Sequence, residues 1–278
     1  APEEIIFDCN EMAKGQSYFN LSGISVSEDN KWVTFGVDLV SRRQYTIQIK
    51  NLETGEILPE KIENTTGSCA WSSDNKTFFY TKNDPKTLRS DMVFRHQLNS
   101  DVTTDSLVFH EKDDTFYTFV YKDKSKKYII IGSTSTLTSE YQILESNNPL
   151  GTFKYFSKRN RGLEYSIFHF GENFYIVTNK DNATNFKLMK TPETATSAEN
   201  WKDLIPHRKD VLLEGIDIFK NYLVVEERSN GLNKIQTGLF LANFEVLFVS
   251  PMERLKVYFM TYTPKINNSR FKTYTTIK

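Results

Sequence analysis

A polar turn followed by an apolar run recurs along this 278-residue chain at nearly constant spacing, and no other feature constrains the fold as tightly. The clearest copies are Asp29-Asn-Lys31-Trp-Val-Thr-Phe and Asp74-Asn-Lys76-Thr-Phe-Phe-Tyr. Looser ones are Ser125-Lys-Lys127-Tyr-Ile-Ile-Ile, Gly171-Glu-Asn173-Phe-Tyr-Ile-Val and Phe219-Lys-Asn221-Tyr-Leu-Val-Val. The equivalent positions 31, 76, 127, 173 and 221 lie 45, 51, 46 and 48 residues apart. Each unit contains about four strand-like segments, in the first unit roughly 21–26, 32–37, 43–50 and a short 56–59. Arg43-Gln-Tyr45-Thr-Ile47-Gln-Ile49-Lys alternates strictly, as a strand with one buried face requires.

Four strands per period of this length mark a β-propeller blade. One four-stranded blade leaves both faces unburied, so blades stack face to face around an axis. A β-sandwich is the alternative, but nothing in a sandwich requires such a period. The chain is therefore read as all-β, a β-propeller with about six four-stranded units. After Asn221 the next similar run, Arg254-Leu-Lys-Val-Tyr-Phe, follows at only 33 residues, and the sixth unit is hard to read. Helical signals are two: a short helix or turn at 11–14, and 197–204, where Ser197 would cap a turn and Trp201 and Leu204 share a face.

Composition fits this reading. Aromatic residues make up 14% of the chain, and they favour pleated, half-buried surfaces. The 35 basic and 35 acidic side chains cancel, which excludes an overall field for nucleic acid or anionic membrane. No run approaches the ~20 apolar residues of a membrane-spanning helix. The N-terminus carries neither signal-peptide features nor an initiator Met, so the expectation is a cytoplasmic protein, processed or excerpted from something longer. Two cysteines, Cys9 and Cys69, cannot form a disulfide scaffold and are read as small buried fillers in a reducing compartment.

Signals for chemistry are sparse. The strand-to-helix elbow Gly-x-Ser-x-Gly is absent, the nearest run being Gly23-Ile-Ser25-Val-Ser27, and there is no phosphate-binding Gly-rich loop. His96, His110, His169 and His207 are scattered and read as hydrogen-bonded strand or loop residues. No metal or cofactor is expected. Asp113-Asp114 and Glu226-Glu227 are adjacent carboxylates that would point to opposite faces of a strand, and they read as solvated turn or rim charges. The basic clusters Arg42-Arg43, Lys158-Arg159-Asn160-Arg161 and His207-Arg208-Lys209 read as solvated loops, with rim ion pairs as the functional alternative.

Longer motifs say more. The runs Lys50-Asn-Leu-Glu-Thr-Gly-Glu56, Trp71-Ser-Ser-Asp-Asn-Lys-Thr-Phe-Phe-Tyr-Thr81 and Asp84-Pro-Lys-Thr-Leu-Arg89 open a series that continues along the chain. It includes Glu111-Lys-Asp-Asp-Thr-Phe116, Thr138-Ser-Glu-Tyr141, Arg161-Gly-Leu-Glu-Tyr-Ser166, Leu204-Ile-Pro-His-Arg208 and Val224-Val-Glu-Glu-Arg228-Ser-Asn-Gly-Leu232. These resemble the N-terminal portion of the oligopeptidase B group in the prolyl oligopeptidase family of serine peptidases. The resemblance covers residues 3–235 and becomes poor over 236–278.

The resemblance implies that residues 1–278 are a propeller, seven-bladed in the family, capping a separate α/β-hydrolase domain. The catalytic Ser, Asp and His would lie in that domain, so this chain by itself would be inactive. Its partners would be its own hydrolase domain and short peptides cleaved after Lys or Arg. By resemblance, Arg42, Arg43 and Glu63 are candidate interdomain charges. Asp113, Asp114 and Lys180 are candidates for loops that face the substrate cavity. A stand-alone interaction propeller and a propeller glycosidase with carboxylates in its channel are the alternatives.

Overall fold

The computed structural model describes residues 4–240 and 246–248. After a four-residue helix α1 (Cys9–Met12), the chain is a succession of antiparallel strands, each paired with the next within its sheet. The first sheet runs β1 (Asn20–Val26), β2 (Trp32–Asp38), β3 (Tyr45–Asn51), β4 (Ile57–Trp71), β5 (Thr77–Asn83), β6 (Ser90–Gln97) and β7 (Ser106–His110). The second holds β8 (Tyr117–Lys122), β9 (Tyr128–Thr134), β10 (Ser139–Glu145) and β11 (Lys154–Tyr155). The third holds β12 (Tyr165–Phe170), β13 (Asn173–Thr178), β14 (Lys187–Pro192) and β15 (Lys202–Ile205). The fourth holds β16 (Leu212–Ile218), β17 (Tyr222–Ser229), β18 (Leu232–Phe240) and β19 (Val246–Phe248).

The seven-stranded sheet is two four-stranded units sharing one strand. The expected strand 56–59 is only the start of β4. Its first half pairs with β3 (Ile47↔Ile62), a register shift follows, and its second half pairs with β5 (Cys69↔Tyr80). β4 is thus the outer strand of unit 1 and the inner strand of unit 2. Units 3, 4 and 5 are the remaining sheets, so the described residues hold five units. The run from Arg254, read as a sixth, lies outside the described residues.

Every copy of the sequence repeat opens the second strand of its unit: β2, β5, β9, β13 and β17. This strand lies inside its sheet, and its alternate side chains enter the seams on either side. Phe78 and Tyr80 of β5 pack toward unit 1 with Ile47, Ile49, Ile62 and Trp71, while Phe79 packs toward unit 3 with Ile129, Ile131 and Phe153. Tyr128 and Ile130 of β9 meet Phe174 and Ile176 of β13. Tyr175 and Val177 then meet Leu223 and Val225 of β17. Aromatic rings dominate: Phe79 and Phe153 meet edge to face at 5.3 Å, as do Phe156 and Phe174 at 4.9 Å. On the face of unit 1 turned away from unit 2, the segment before α1 packs against the sheet, with Phe7 4.6 Å from Phe35 and Lys50 Nζ donating to Ile6 O at 2.7 Å.

Two local expectations change. The helix expected at 197–204 is a single 3-10 turn, Ala198–Asn200, leading into β15, and Ser197 makes no cap bond. Trp201 and Leu204 do not share a face: Trp201 enters the seam between units 3 and 4, Leu204 the seam between units 4 and 5. Extended backbone lets successive residues serve two seams, which a helix cannot do. The 11–14 segment is helical only at its start, because the helix is α1, capped by the Asp8 carboxylate on the backbone N–H groups of Asn10 and Glu11. Cys69 is buried as expected, whereas Cys9 is exposed because α1 lies on the surface.

Phe174 is fully buried between Tyr128, Phe156 and His169. Phe174→Ala is expected to cost about 3–5 kcal/mol of unfolding free energy, by lost transfer energy and a residual cavity. Urea denaturation with an unchanged m-value checks it.

Candidate functional site

The meander sends the loops of each unit to two ends. Connections between first and second strands lie at one end, here the turn end. Connections between second and third strands, and crossings from unit to unit, lie at the other, the loop end. The innermost strands β1, β8 and the second half of β4, with Ile6 and Phe7 before α1, line an open cavity of about 1470 Å3. Ile24, Tyr117 and Phe119 line it and are substantially exposed. At the turn end Lys122 pairs with Glu28 and Lys124 with Asp217, and the Lys124 ammonium lies 4.1 Å from the Phe219 ring centroid. These contacts join units 1, 3 and 5.

All six sequence candidates fall at the loop end. Arg42 and Arg43 are exposed in the β2–β3 loop, whose backbone is held by the buried Asp38 carboxylate, which accepts from the N–H groups of Arg42 (3.1 Å) and Arg43 (2.8 Å). Glu63 is exposed where β4 passes from unit 1 to unit 2. Asp113 and Asp114 lie in the crossing from β7 to β8, and Lys180 begins the β13–β14 loop. Asp113 pairs with Arg161, in the crossing from unit 3 to unit 4, at 2.5 Å, and Lys180 with the adjacent Asp181 at 3.1 Å. The Thr115 hydroxyl and backbone N–H, with Arg161, hold the Asp113 carboxyl below its ordinary range. Asp114 is exposed.

The basic run 158–161 is more than a solvated loop. Arg159 stacks 3.8 Å from the Phe116 ring centroid and binds two buried carboxylates, Glu140 at 2.8 Å and Glu111. Ser133 also donates to Glu111. Burial alone would raise the Glu111 pKa, but the Arg159 guanidinium and the Ser133 hydroxyl outweigh it and hold the carboxyl below 4.5. Arg89 adds donors to the Asp113 and Phe116 carbonyls at 3.1 and 2.9 Å. This knot joins units 2 and 3 to the crossing that leads into unit 4. Likewise Glu227, read as a rim charge, is 2% exposed, paired with Arg208 and accepting from Gln236 at 2.9 Å. It follows Leu223 and Val225 on the buried face of β17, so the alternation that separated Glu226 from Glu227 also decides which is buried. The signal available in sequence was the mixing of Arg and Glu at strand ends, without their pairing.

This architecture matches known proteins. The family described as "Prolyl oligopeptidase, N-terminal beta-propeller domain" matches residues 1–267. The chain belongs to this family. Dipeptidyl aminopeptidase BI of Pseudoxanthomonas mexicana is 39% identical over 236 residues, covering 85% of this chain and 32% of the relative. Protease 2 of Moraxella lacunata is 32% identical, covering 84% and 34%. Among solved structures, oligopeptidase B from Leishmania major superposes with a TM-score of 0.82 at 28% identity, covering 90% of this chain and 36% of that one. Oligopeptidase B from Trypanosoma brucei, in a closed form with covalently bound antipain, gives a TM-score of 0.78 at 26% identity, covering 88% and 34%. The chain thus spans about a third of the length of these relatives.

Arg159→Met keeps the aliphatic stem over Phe116 but leaves Glu111 and Glu140 buried together without a cation. It is expected to cost about 3–5 kcal/mol at neutral pH. A carboxyl whose folded pKa is lowered contributes stability above its unfolded value and loses it as pH falls through the folded value. The gap between wild type and Arg159→Met should therefore narrow below pH 4.5, in melting curves taken across pH. Glu60 is the opposite case. Burial raises its pKa, and its Oε2 lacks a hydrogen-bond partner. Its protonation favours the folded state, an advantage lost as pH rises through the folded value, so Glu60→Gln should melt higher than wild type at pH 8 and show no gain at pH 4.

Proposed function

We propose that this chain is the gating and substrate-selecting propeller of a serine-type oligopeptidase that cleaves short peptides after Lys or Arg. The observation that carries this reading is the loop end. Leu39, Val40, Leu88 and Leu137, in the second-to-third-strand loops of units 1, 2 and 3, and Leu232 at the start of β18 are 37% to 68% exposed. Together with Arg42, Arg43 and Glu63 they put exposed apolar and charged groups at one end of the stacked sheets, a surface suited to a hydrolase domain that closes on it. Family membership supports the same arrangement, since relatives named as peptidases are about three times as long. Closure would sequester the reaction from water and admit only chains small enough for the enclosed space.

The carboxylates that hold the basic side chain at the cleaved bond would lie in the hydrolase domain, and carboxylates of this chain that are not already neutralised would add to the preference for basic peptides. Asp113 is committed to Arg161, which leaves Asp114 as the exposed carboxylate of that pair able to meet a cationic side chain. Solvent screening limits it to about 0.2–1 kcal/mol.

The name of the Pseudoxanthomonas relative favours a second reading, release of dipeptides from a free amino terminus. The full-length gene product, assayed on an N-blocked Arg-Arg fluorogenic peptide and on its unblocked counterpart, separates the two. Cleavage of the blocked peptide is expected. Cleavage of the unblocked one alone would favour the second reading, and cleavage of neither would reject both. Asp114→Asn should raise KM for Arg substrates up to a few-fold with kcat little changed.

A further inference from the structure

At the turn end three residues from three separated stretches form a continuous hydrogen-bonded chain. Ser125 Oγ lies 2.8 Å from His169 Nδ1, and His169 Nε2 lies 2.9 Å from Glu193 Oε2. Ser125 is in the β8–β9 turn, His169 on β12, and Glu193 follows β14. The tautomer follows from the partners. An ionised carboxylate only accepts, so Nε2 carries the proton toward Glu193, and Nδ1 is left to accept from the serine hydroxyl.

The surroundings hold this arrangement in place. The imidazole is wedged between the Tyr128 and Phe174 rings, each 4.9 Å away. The Asp123 carboxylate accepts the Ser125 N–H at 2.7 Å and the His169 N–H at 3.2 Å, so one group positions both backbones. Lys127 Nζ donates to Glu193 at 2.6 Å, and the Tyr128 hydroxyl donates to it at 3.2 Å. Burial lowers the His169 pKa below 6.5 despite the pull of Glu193 and Asp123, so the ring is neutral at pH 7. Burial would raise the Glu193 pKa, but Lys127 and His169 outweigh it and keep the carboxyl ionised. Ser125 is exposed and borders a cavity of about 230 Å3, shared with Ser73, Lys126, Lys127, Ser146 and Asn147.

We propose that Ser125, His169 and Glu193 form a hydroxyl-activating relay that makes Ser125 an acceptor for small acyl groups from esters, independent of the peptidase reading above. Ser125 Oγ attacks the ester carbonyl, forming the new C–O bond while its proton passes to His169 Nδ1. Collapse of the tetrahedral intermediate breaks the bond to the leaving alcohol, which takes that proton. Water, deprotonated by the same nitrogen, then hydrolyses the acyl-serine to the carboxylic acid and restores the hydroxyl. His169 is the base, and Glu193 is a positioning residue that fixes its tautomer. The size of the cavity limits the acyl group to a short chain.

The test is acetylation of this 278-residue chain by p-nitrophenyl acetate, with peptide mapping by mass spectrometry. The expected result is preferential acetylation at Ser125, lost in Ser125→Ala and slowed about 100-fold or more in His169→Gln. The rate should rise with pH through the lowered His169 pKa and then level off. Glu193→Gln, which leaves the ring and its packing in place, should slow the reaction while the melting temperature shows the fold retained. It serves as the deciding variant if His169→Gln does not fold. Labelling of Ser125 no faster than of other exposed serines such as Ser41, or an unchanged rate in a folded Glu193→Gln protein, overturns the proposal and leaves the three residues as a clip between units 3 and 4.

Discussion

Stacking of one four-stranded unit on the next, through alternate side chains of the second strand, is the interaction on which everything else here depends. No unit can bury its own faces. Tyr128 and Ile130 need Phe174 and Ile176 from unit 4, just as Ile129 and Ile131 need Phe79 from unit 2. Burying a large apolar side chain contributes roughly 1.5–3 kcal/mol. Each seam collects several such side chains, which outweighs a single ion pair at either rim. Among the described residues, aromatic side chains gather in these seams, where rings from neighbouring units meet at tilted and edge-to-face angles.

Once the seams are set, the rims follow from strand direction. An antiparallel meander returns every second connection to the same end, so residues as distant in sequence as Arg42 and Lys180 share the loop end. Electrostatics then reinforces the stack. The Glu111–Arg159–Glu140 knot at the loop end and the Lys122–Glu28 and Lys124–Asp217 pairs at the turn end all bind different units together. The buried knot differs from the exposed pairs in kind. With its carboxylates out of water, loss of the guanidinium leaves two unpaired charges rather than two solvated ones.

How far the candidate site could be read in sequence depended on the range of the contact concerned. Arg42 and Arg43 read as a solvated basic pair and are exposed, but the strand read from Arg43 begins only at Tyr45, because the Asp38 carboxylate holds both arginine N–H groups in the turn. Asp113 was correctly a loop residue, but its partner Arg161 is 48 residues distant, and no spacing rule connects them. Cys9 and Glu227 show the same limit from opposite sides. Similar residue types in similar local patterns become exposed or buried according to what packs against them.

The sequence by itself determined the unit and its period, because side chains that alternate between two seams must recur with each blade, and local turn chemistry sets where each strand begins. It also determined the family, through long ordered motifs. Only the tertiary structure decided that β4 serves two units as one strand, that Trp201 and Leu204 part company between seams, and that Ser125, His169 and Glu193 meet. Contacts between units are made by groups tens of residues apart. Their geometry depends on the angle and register at which whole sheets stack, a property of the assembled seam rather than of any segment in it.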